Sequence, residues 1–512
     1  MKIMTRFNSL EKYEKYSLAV IIIFSLIAVY LTSIYHVSGD GCWHIQAGKF
    51  LADNYKIPSF EPLGRDEPFW SPPLYHIFVA FIYLLFNTFN HNVANFAIKF
   101  VSPIFGILSL IFSFFVVKKL ANSKIAFYST LFLAYVPIFI DHSVISYVES
   151  MLVFFVILSV YFLINDKIFL SGMAAGFSIL TKYNGVFILP LLVYFLYRKH
   201  ANKKIFYKNA FLIVFLPLLI AAPWFLRNWA IFGNPVWPFL NFIFKGLELK
   251  SYSQARLQNL FHPNFVIFTY LGIFGVPDGN YAAFSFFNVP YFKFLLGFWL
   301  IGTLFFIIPL IIGFFIKNEA AKKQKNNLNS GTSANKVFFV VWLTSYLILF
   351  LLYVVNVGWS VSRIMLPAFP ALAFFWASGY DKLMTKIKFG KMINLLTILV
   401  IIGFVFTSVI KTNLATNAWK FYQNDFDWVK SNTEKNSVFI ANGQCVPNNI
   451  ERSSLYAINE NLRMANYIWI NQQFKLDKRS IIEDNQLKLI ESKNYDKIYS
   501  NKRTNTIIYK IK

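Results

Sequence analysis

The chain has 512 residues, 56% of them apolar and only 14% charged, with a mean hydropathy of +0.49. That balance leaves too little polar surface for a water-soluble protein of this length and excludes one. The formal net charge of +25 is not a nucleic-acid signal, because the basic residues gather in alternate loops between apolar runs, as the positive-inside rule expects.

Lys2, Arg6, Lys12 and Lys15 precede an apolar run over residues 17–35. The run is too long for a signal-peptide core and no small-residue cleavage site follows it, so it reads as a retained first helix with its start on the cytoplasmic side. A spanning helix needs roughly 20 mostly apolar residues. Further spans are expected at 96–117, 125–140, 148–164, 169–180, 186–197, 210–225, 295–315, 337–353, 365–379 and 393–410. The fifth and sixth are short and meet at Thr181-Lys182-Tyr183-Asn184-Gly185, where an interruption is expected. Two other apolar runs, 74–86 and 265–274, are short as well. Counting either as a crossing would turn the basic loop at 317–336 outward, so both are assigned to the outer surface as interfacial or re-entrant segments. Residues 321–335, rich in Lys, Asn and Ser, read as a flexible inside loop.

From about Lys411 the chain turns polar and holds no run long enough to span. Residues 425–431 read as helix, Val438-Phe439-Ile440 as a buried strand, and Asn501-Lys502-Arg503-Thr504-Asn505 as a hairpin turn. The expected fold is an α-helical polytopic membrane protein of about eleven transmembrane helices with outer-face interfacial helices. It carries a small C-terminal α/β extracytoplasmic domain. Residues 1–410 form the transmembrane catalytic domain, with outer loops at 37–95 and 227–293, and residues 411–512 the outer domain. The two cysteines, Cys42 and Cys445, both fall outside. A disulfide between them is left open, since two distant cysteines do not make a framework.

Several residues could carry chemistry. Asp40 opens the first outer loop in Ser38-Gly39-Asp40-Gly41-Cys42-Trp43-His44. It reads either as a helix N-cap or as a general base for an acceptor hydroxyl, with His44 one turn on to support it or to hydrogen-bond a sugar. Asp141, His142, Tyr147 and Glu149 gather where the third helix gives way to the fourth. Ionisable groups at membrane depth usually face a bundle interior or a wet cavity. Lys182 sits in the helix break, Arg227 follows Pro223-Trp224, and Arg363 begins Arg363-Ile364-Met365-Leu366-Pro367. Each cation alone reads as snorkelling to lipid phosphates. Together they read as a cationic pocket for a substrate phosphate, which Arg can bind bidentately. No nucleotide-binding loop, zinc-protease motif or serine-hydrolase elbow is present. The inside loops are too short for a nucleotide-sugar domain, so if the chain is a glycosyltransferase its donor must already be lipid-linked.

At these residues the chain resembles the GT-C superfamily of integral-membrane glycosyltransferases, in particular the protein O-mannosyltransferase-like enzymes and the lipid A aminoarabinose transferases. The resemblance rests on Asp40 and His44 early in the first outer loop, Pro72-Pro73-Leu74 before an interfacial helix, and Glu149 opening the fourth helix. Gly176 to Lys182 matches a G-x-x-x-x-T-K stretch. Pro223-Trp224-x-x-Arg227-Asn228 with Gly233-Asn234-Pro235, and the late Arg363-x-x-Leu366-Pro367-x-x-Pro370, recur too. It covers roughly residues 17–410. Many relatives carry a second acid beside the first, where this chain has Gly41.

The resemblance implies a polyprenyl-phosphate sugar donor, an extracytoplasmic acceptor and inversion at the sugar carbon. Asp40 and Glu149 are then the candidate catalytic residues, and His44, Asp141, Tyr147, Lys182, Arg227 and Arg363 the candidate substrate-binding residues. No metal ligand is assigned and no cofactor is required; a divalent metal is permitted but not indicated. Membrane lipids are the remaining expected partner, and nucleic acid is not one. The competing readings are a multi-pass lipid or glycan transporter or flippase, a glycan polymerase or ligase, and a membrane scaffold presenting the C-terminal domain.

Overall fold

The structure is a computed structural model, and it describes residues 10–59, 68–247, 257–261, 265, 269–270, 272–274, 292–316, 332–357, 361–386, 390–441, 445–455, 464–471 and 495–512. The loop at 317–336 lies largely outside the described residues, as does part of the 265–274 run. By contacts the chain divides into two compact units.

Unit one comprises Met1–Thr32, Ser102–Val144 and Val148–Ile410, and it is helical. It takes in most of α1 (Lys12–Ile34). In unit two, chain order continues with α2 (Asp40–Asn54), α3 (Leu74–Asn87) and α4 (His91–Ala97). Unit one then holds nearly all of α5 (Val101–Leu120), α6 (Ser123–Tyr135), α7 (Pro137–Val144), α8 (Glu149–Ile164), α9 (Ile168–Thr181), α10 (Leu189–Lys199) and α11 (Lys203–Phe232). It ends with α12 (Phe292–Phe315), α13 (Thr332–Val357), α14 (Phe369–Lys386) and most of α15 (Gly390–Lys420). Each of the eleven apolar runs expected to span lies on helix, the sixth beginning as a 3₁₀ turn at Tyr183–Ile188.

Among the described residues five helices are long and apolar enough to cross a membrane: Lys12–Ile34, His91–Leu120, Lys203–Phe232, Lys336–Val355 and Gly390–Lys420. The pair α6–α7, bent by 63°, makes a sixth if counted as one span. The bend follows from the sequence. Val136 precedes Pro137, and a residue before proline is driven out of the helical region; Val136 is accordingly extended, at φ −67° and ψ 126°.

The interruption expected at 181–185 is present. Lys182 is extended (φ −159°, ψ 140°), and α9 stops there before the chain resumes as the 3₁₀ turn. A Cβ on Gly185 would lie 2.4 Å from the Ser178 carbonyl carbon. Only glycine lets the chain double back that closely, so the break that presents Lys182 is written into Thr181-Lys182-Tyr183-Asn184-Gly185.

Unit two comprises Ser33–Val101, Ile145–Tyr147 and Lys411–Lys512. The segment after α1 therefore packs with the polar tail. That segment supplies α2, α3 and α4. The tail adds α16 (Gln423–Asn432) and α17 (Val446–Ile450). It also forms a five-stranded sheet from β1 (Val438–Ile440), β2 (Ser453–Leu455), β3 (Tyr467–Asn471), β4 (Tyr495–Asn501) and β5 (Thr506–Ile511). The order is β2-β1-β3-β5-β4. β1 pairs in parallel with β2 and β3, and β5 pairs antiparallel with β3 and β4. The expected helix, strand and hairpin at 425–431, 438–440 and 501–505 are all found.

Phe426 and Val429 of α16 close one face of the sheet over Phe439, Tyr467, Trp469 and Ile508. Asp425 is fully buried beneath them, and it is satisfied: its carboxylate accepts hydrogen bonds from Tyr499 Oη (2.6 Å), Asn501 Nδ2 (2.6 Å) and Thr506 Oγ1 (2.7 Å). A buried carboxylate requires such donors. Cys42 of α2 and Cys445 form a disulfide, with Cα atoms 5.1 Å apart.

Candidate active site

The candidate residues fall into two clusters, one in each unit. In unit one, Glu149 is the first residue of α8 and is 2% exposed. Its Oε1 accepts a hydrogen bond from Lys182 Nζ at 2.7 Å, and Arg363 Nε lies 3.7 Å from the same oxygen. Lys182 arrives from the break after α9, and Arg363 from a 3₁₀ turn at Ser362–Ala368. Glu149 Oε2 is buried and has no hydrogen-bond donor among the described residues. Two cations on one carboxylate leave a net positive charge in an apolar bundle, with an acceptor oxygen to spare. That is a setting for an anionic, hydroxyl-bearing ligand.

Arg227 is held by a separate frame. Its guanidinium packs over Trp224 (4.6 Å to the ring centroid) and Phe232 (5.6 Å) and donates to Asn228 Oδ1 at 2.7 Å. Tyr183, the neighbour of Lys182, accepts at Oη from Trp224 Nε1 (2.9 Å) and Asn228 Nδ2 (2.7 Å). Asp141 accepts from Ser408 Oγ at 3.0 Å on α15, and His142 Nδ1 donates to the Ile138 carbonyl at 2.9 Å.

In unit two, Asp40 is the first residue of α2 and Gly39 occupies the cap, so the N-cap reading of Asp40 gives way to a first-turn acid. Such an acid still interacts favourably with the helix dipole. Gly39 has φ +57°, and a Cβ there would sit 2.5 Å from Tyr147 Oη. Glycine is thus required twice, for the backbone region and for the space. Tyr147 Oη in turn accepts the Asp40 backbone N–H at 3.1 Å.

On the same side of α2, His44 Nδ1 lies 3.0 Å from His76 Nε2, so one ring donates and the other accepts. Trp43, Phe69 and Tyr75 crowd the two imidazoles with ring centroids 4.7 to 5.6 Å from one or the other. Burial, and then the neighbouring His44, hold the His76 imidazole well below its usual range.

Residues 70–226 match the family described as dolichyl-phosphate-mannose-protein mannosyltransferase. The fold is similar to that of ArnT from Cupriavidus metallidurans bound to undecaprenyl phosphate. The TM-score is 0.63 at 11% identity, over 96% of this chain and 97% of that one. It is also similar to the Archaeoglobus fulgidus oligosaccharyltransferase AglB in complex with an inhibitory peptide and a dolichol-phosphate. There the TM-score is 0.54 at 12% identity, over 90% of this chain and 70% of AglB. The mycobacterial arabinofuranosyltransferase AftD gives a TM-score of 0.51 at 10% identity, over 96% of this chain and 40% of AftD. The chain thus shares the fold of these membrane glycosyltransferases, and its residues 70–226 carry the mannosyltransferase family's pattern. No curated protein sequence matches it.

The sequence singled out Glu149, Lys182 and Arg363 separately, but not that Glu149 is where Lys182 and Arg363 meet. It missed His76, the partner of His44; the signal was available, because His76 follows Pro72-Pro73-Leu74 on the first turn of α3. It also missed Tyr183, Trp224 and Asn228 as the frame that holds Arg227. Among the described residues no three His, Cys, Asp or Glu side chains come close enough to hold a metal ion.

Proposed function

We propose that this glycosyltransferase moves a sugar from a polyprenyl-phosphate-linked donor to an acceptor on the extracytoplasmic side, with inversion at the anomeric carbon. The observation that carries this reading is the buried meeting of Glu149, Lys182 and Arg363. The similar ArnT and AglB structures hold undecaprenyl phosphate and dolichol-phosphate, which supports a lipid-phosphate donor here. Arg363 and Lys182 bind the donor phosphate, and Glu149 Oε2 accepts a hydroxyl of the sugar. Asp40 takes the acceptor's proton as the acceptor oxygen bonds to the anomeric carbon. The bond from that carbon to the phosphate oxygen breaks, and the electron pair leaves on the phosphate. Cations stabilise the charge that develops there.

Helices α1, α5, α11, α13 and α15 cross the membrane, joined by the shorter apolar helices. The N-terminus is cytoplasmic, and the residues after 410 are outside. Purified protein incubated with a panel of polyprenyl-phosphate sugars and lipid-linked oligosaccharides should release polyprenyl phosphate, or its diphosphate, from one of them. Release from none, with any extracytoplasmic acceptor fraction added, would remove the reading.

A further inference from the structure

Unit two holds a half-open cavity of about 170 Å³, lined in part by His36, Lys49, Lys430, Asn448, Asn449 and Glu451. It is not on the Asp40 side of α2. Lys49 stands nine residues after Asp40, which at 100° per residue places it on the opposite face of the helix. The disulfide to Cys445 leaves α2 from Cys42, which shares that opposite face. The cavity is therefore a separate feature from the Asp40, His44 and His76 cluster.

Its charges are unevenly matched. Glu451 is committed twice, with Lys430 Nζ at 3.3 Å from one oxygen and His91 Nε2 at 3.3 Å from the other. His36 Nε2 is engaged with Asn449 Oδ1 at 2.6 Å. The Lys49 ammonium lies 5.8 Å from the Tyr83 ring centroid, and among the described residues it has no hydrogen-bond or ion-pair partner. Asn448 accepts from Gln46 Nε2 with its carbonyl at 3.2 Å, which leaves its NH₂ to donate. Glu451 and Asp53 act on the Lys49 ammonium only from beyond ion-pair distance, and an anion with several acceptor oxygens supplies the direct contact that a half-buried ammonium needs.

We propose that this cavity binds a phosphate or phosphomonoester group, held between Lys49 and Lys430 with the Asn448 amide donating to a third oxygen. Burial brings the Lys49 pKa down to about 8 against the opposing pull of Glu451 and Asp53, in keeping with a cation that no carboxylate of the chain contacts directly. The group comes either free in solution or on a lipid headgroup. The site is distinct from the donor-phosphate cluster and does not depend on it.

The test titrates the full-length purified protein with inorganic phosphate in detergent, and in parallel with phosphatidylcholine vesicles carrying phosphatidic acid. Saturable binding that K49M weakens by about tenfold or more, that K430Q also weakens, and that E451Q strengthens, supports the site. R363A should leave this Lys49-dependent component in place, which separates it from the donor cluster. Binding of inorganic phosphate identifies a free anion as the ligand; binding of the vesicles alone identifies a headgroup. Formation of the Cys42–Cys445 disulfide, read by mass, shows that each variant has folded. No binding of either probe, or binding that K49M and K430Q leave unchanged in folded protein, overturns the proposal.

Discussion

Lys182 Nζ donates to Glu149 Oε1 at 2.7 Å, across a break in one helix to the first residue of another. Each group is costly at that depth without the other. The Lys182→Met variant leaves the buried carboxylate with only the longer Arg363 contact and should lose about 3 kcal/mol of stability. Glu149→Gln with Lys182→Met should recover part of it, since the ammonium and the carboxylate leave together while Arg363 loses its partner. Thermal unfolding in detergent reads the first effect, and sugar transfer the second. The double variant is expected to be folded and inactive; an active double variant would make the pair purely structural.

Asp40 is tested by Asp40→Asn. Gly39 holds the cap, so the change removes a base without removing a capping side chain. Transfer should fall by about 10² to 10⁴-fold with donor binding intact. A wild-type rate in Asp40→Asn would move the base elsewhere, with Glu149 or Asp141 next in line.

The His44–His76 pair predicts a pH dependence. His76 has a folded-state pKa well below 6.5 because burial disfavours its cation. The unfolded chain therefore binds a proton that the folded chain refuses as pH falls below about 6.5, and stability drops by up to about 1.4 kcal/mol per pH unit. Thermal midpoints between pH 7 and 5 should slope downward in the native protein and less steeply in His76→Gln. Equal slopes would show that His76 is not the responsible group.

Lys49 predicts a chemical signature. With its pKa near 8, much of it is neutral amine at pH 8.5, where ordinary lysines remain protonated. A small acylating reagent at that pH should modify Lys49 ahead of the exposed lysines, as read by peptide mass. The groups facing it are Glu451 and Asp53, which raise its pKa, and Lys430, which lowers it. Labelling of Lys49 no faster than the others would contradict the depressed value.

The helices were legible in the sequence because their signal is local. Apolar runs and the glycine of Thr181-Lys182-Tyr183-Asn184-Gly185 each act on their own stretch of chain, whereas the single span expected over 125–140 is broken by 63° at Val136-Pro137. What was not legible is which distant side chains meet. Glu149, Lys182 and Arg363 were each visible as charges out of place, but nothing local says that the latter two converge on the first while Arg227 is held by Trp224 and Asn228. The same holds for the tail. Its strands were partly readable, yet the order β2-β1-β3-β5-β4 depends on pairings between segments far apart. Lys49 was not singled out in the sequence, since about half of its cavity is lined by residues of the distant tail.

The bond between Cys42 and Cys445 spans 403 residues. Disulfides of this kind form in oxidising compartments, so both sulfurs must reach the same side of the bilayer before it can close. The chain between them must therefore cross the membrane an even number of times. Ten crossings between the first loop and the tail meet that condition; nine or eleven would leave two free thiols on opposite sides. A simple thiol count on the intact protein thus reads out the parity of the entire topology.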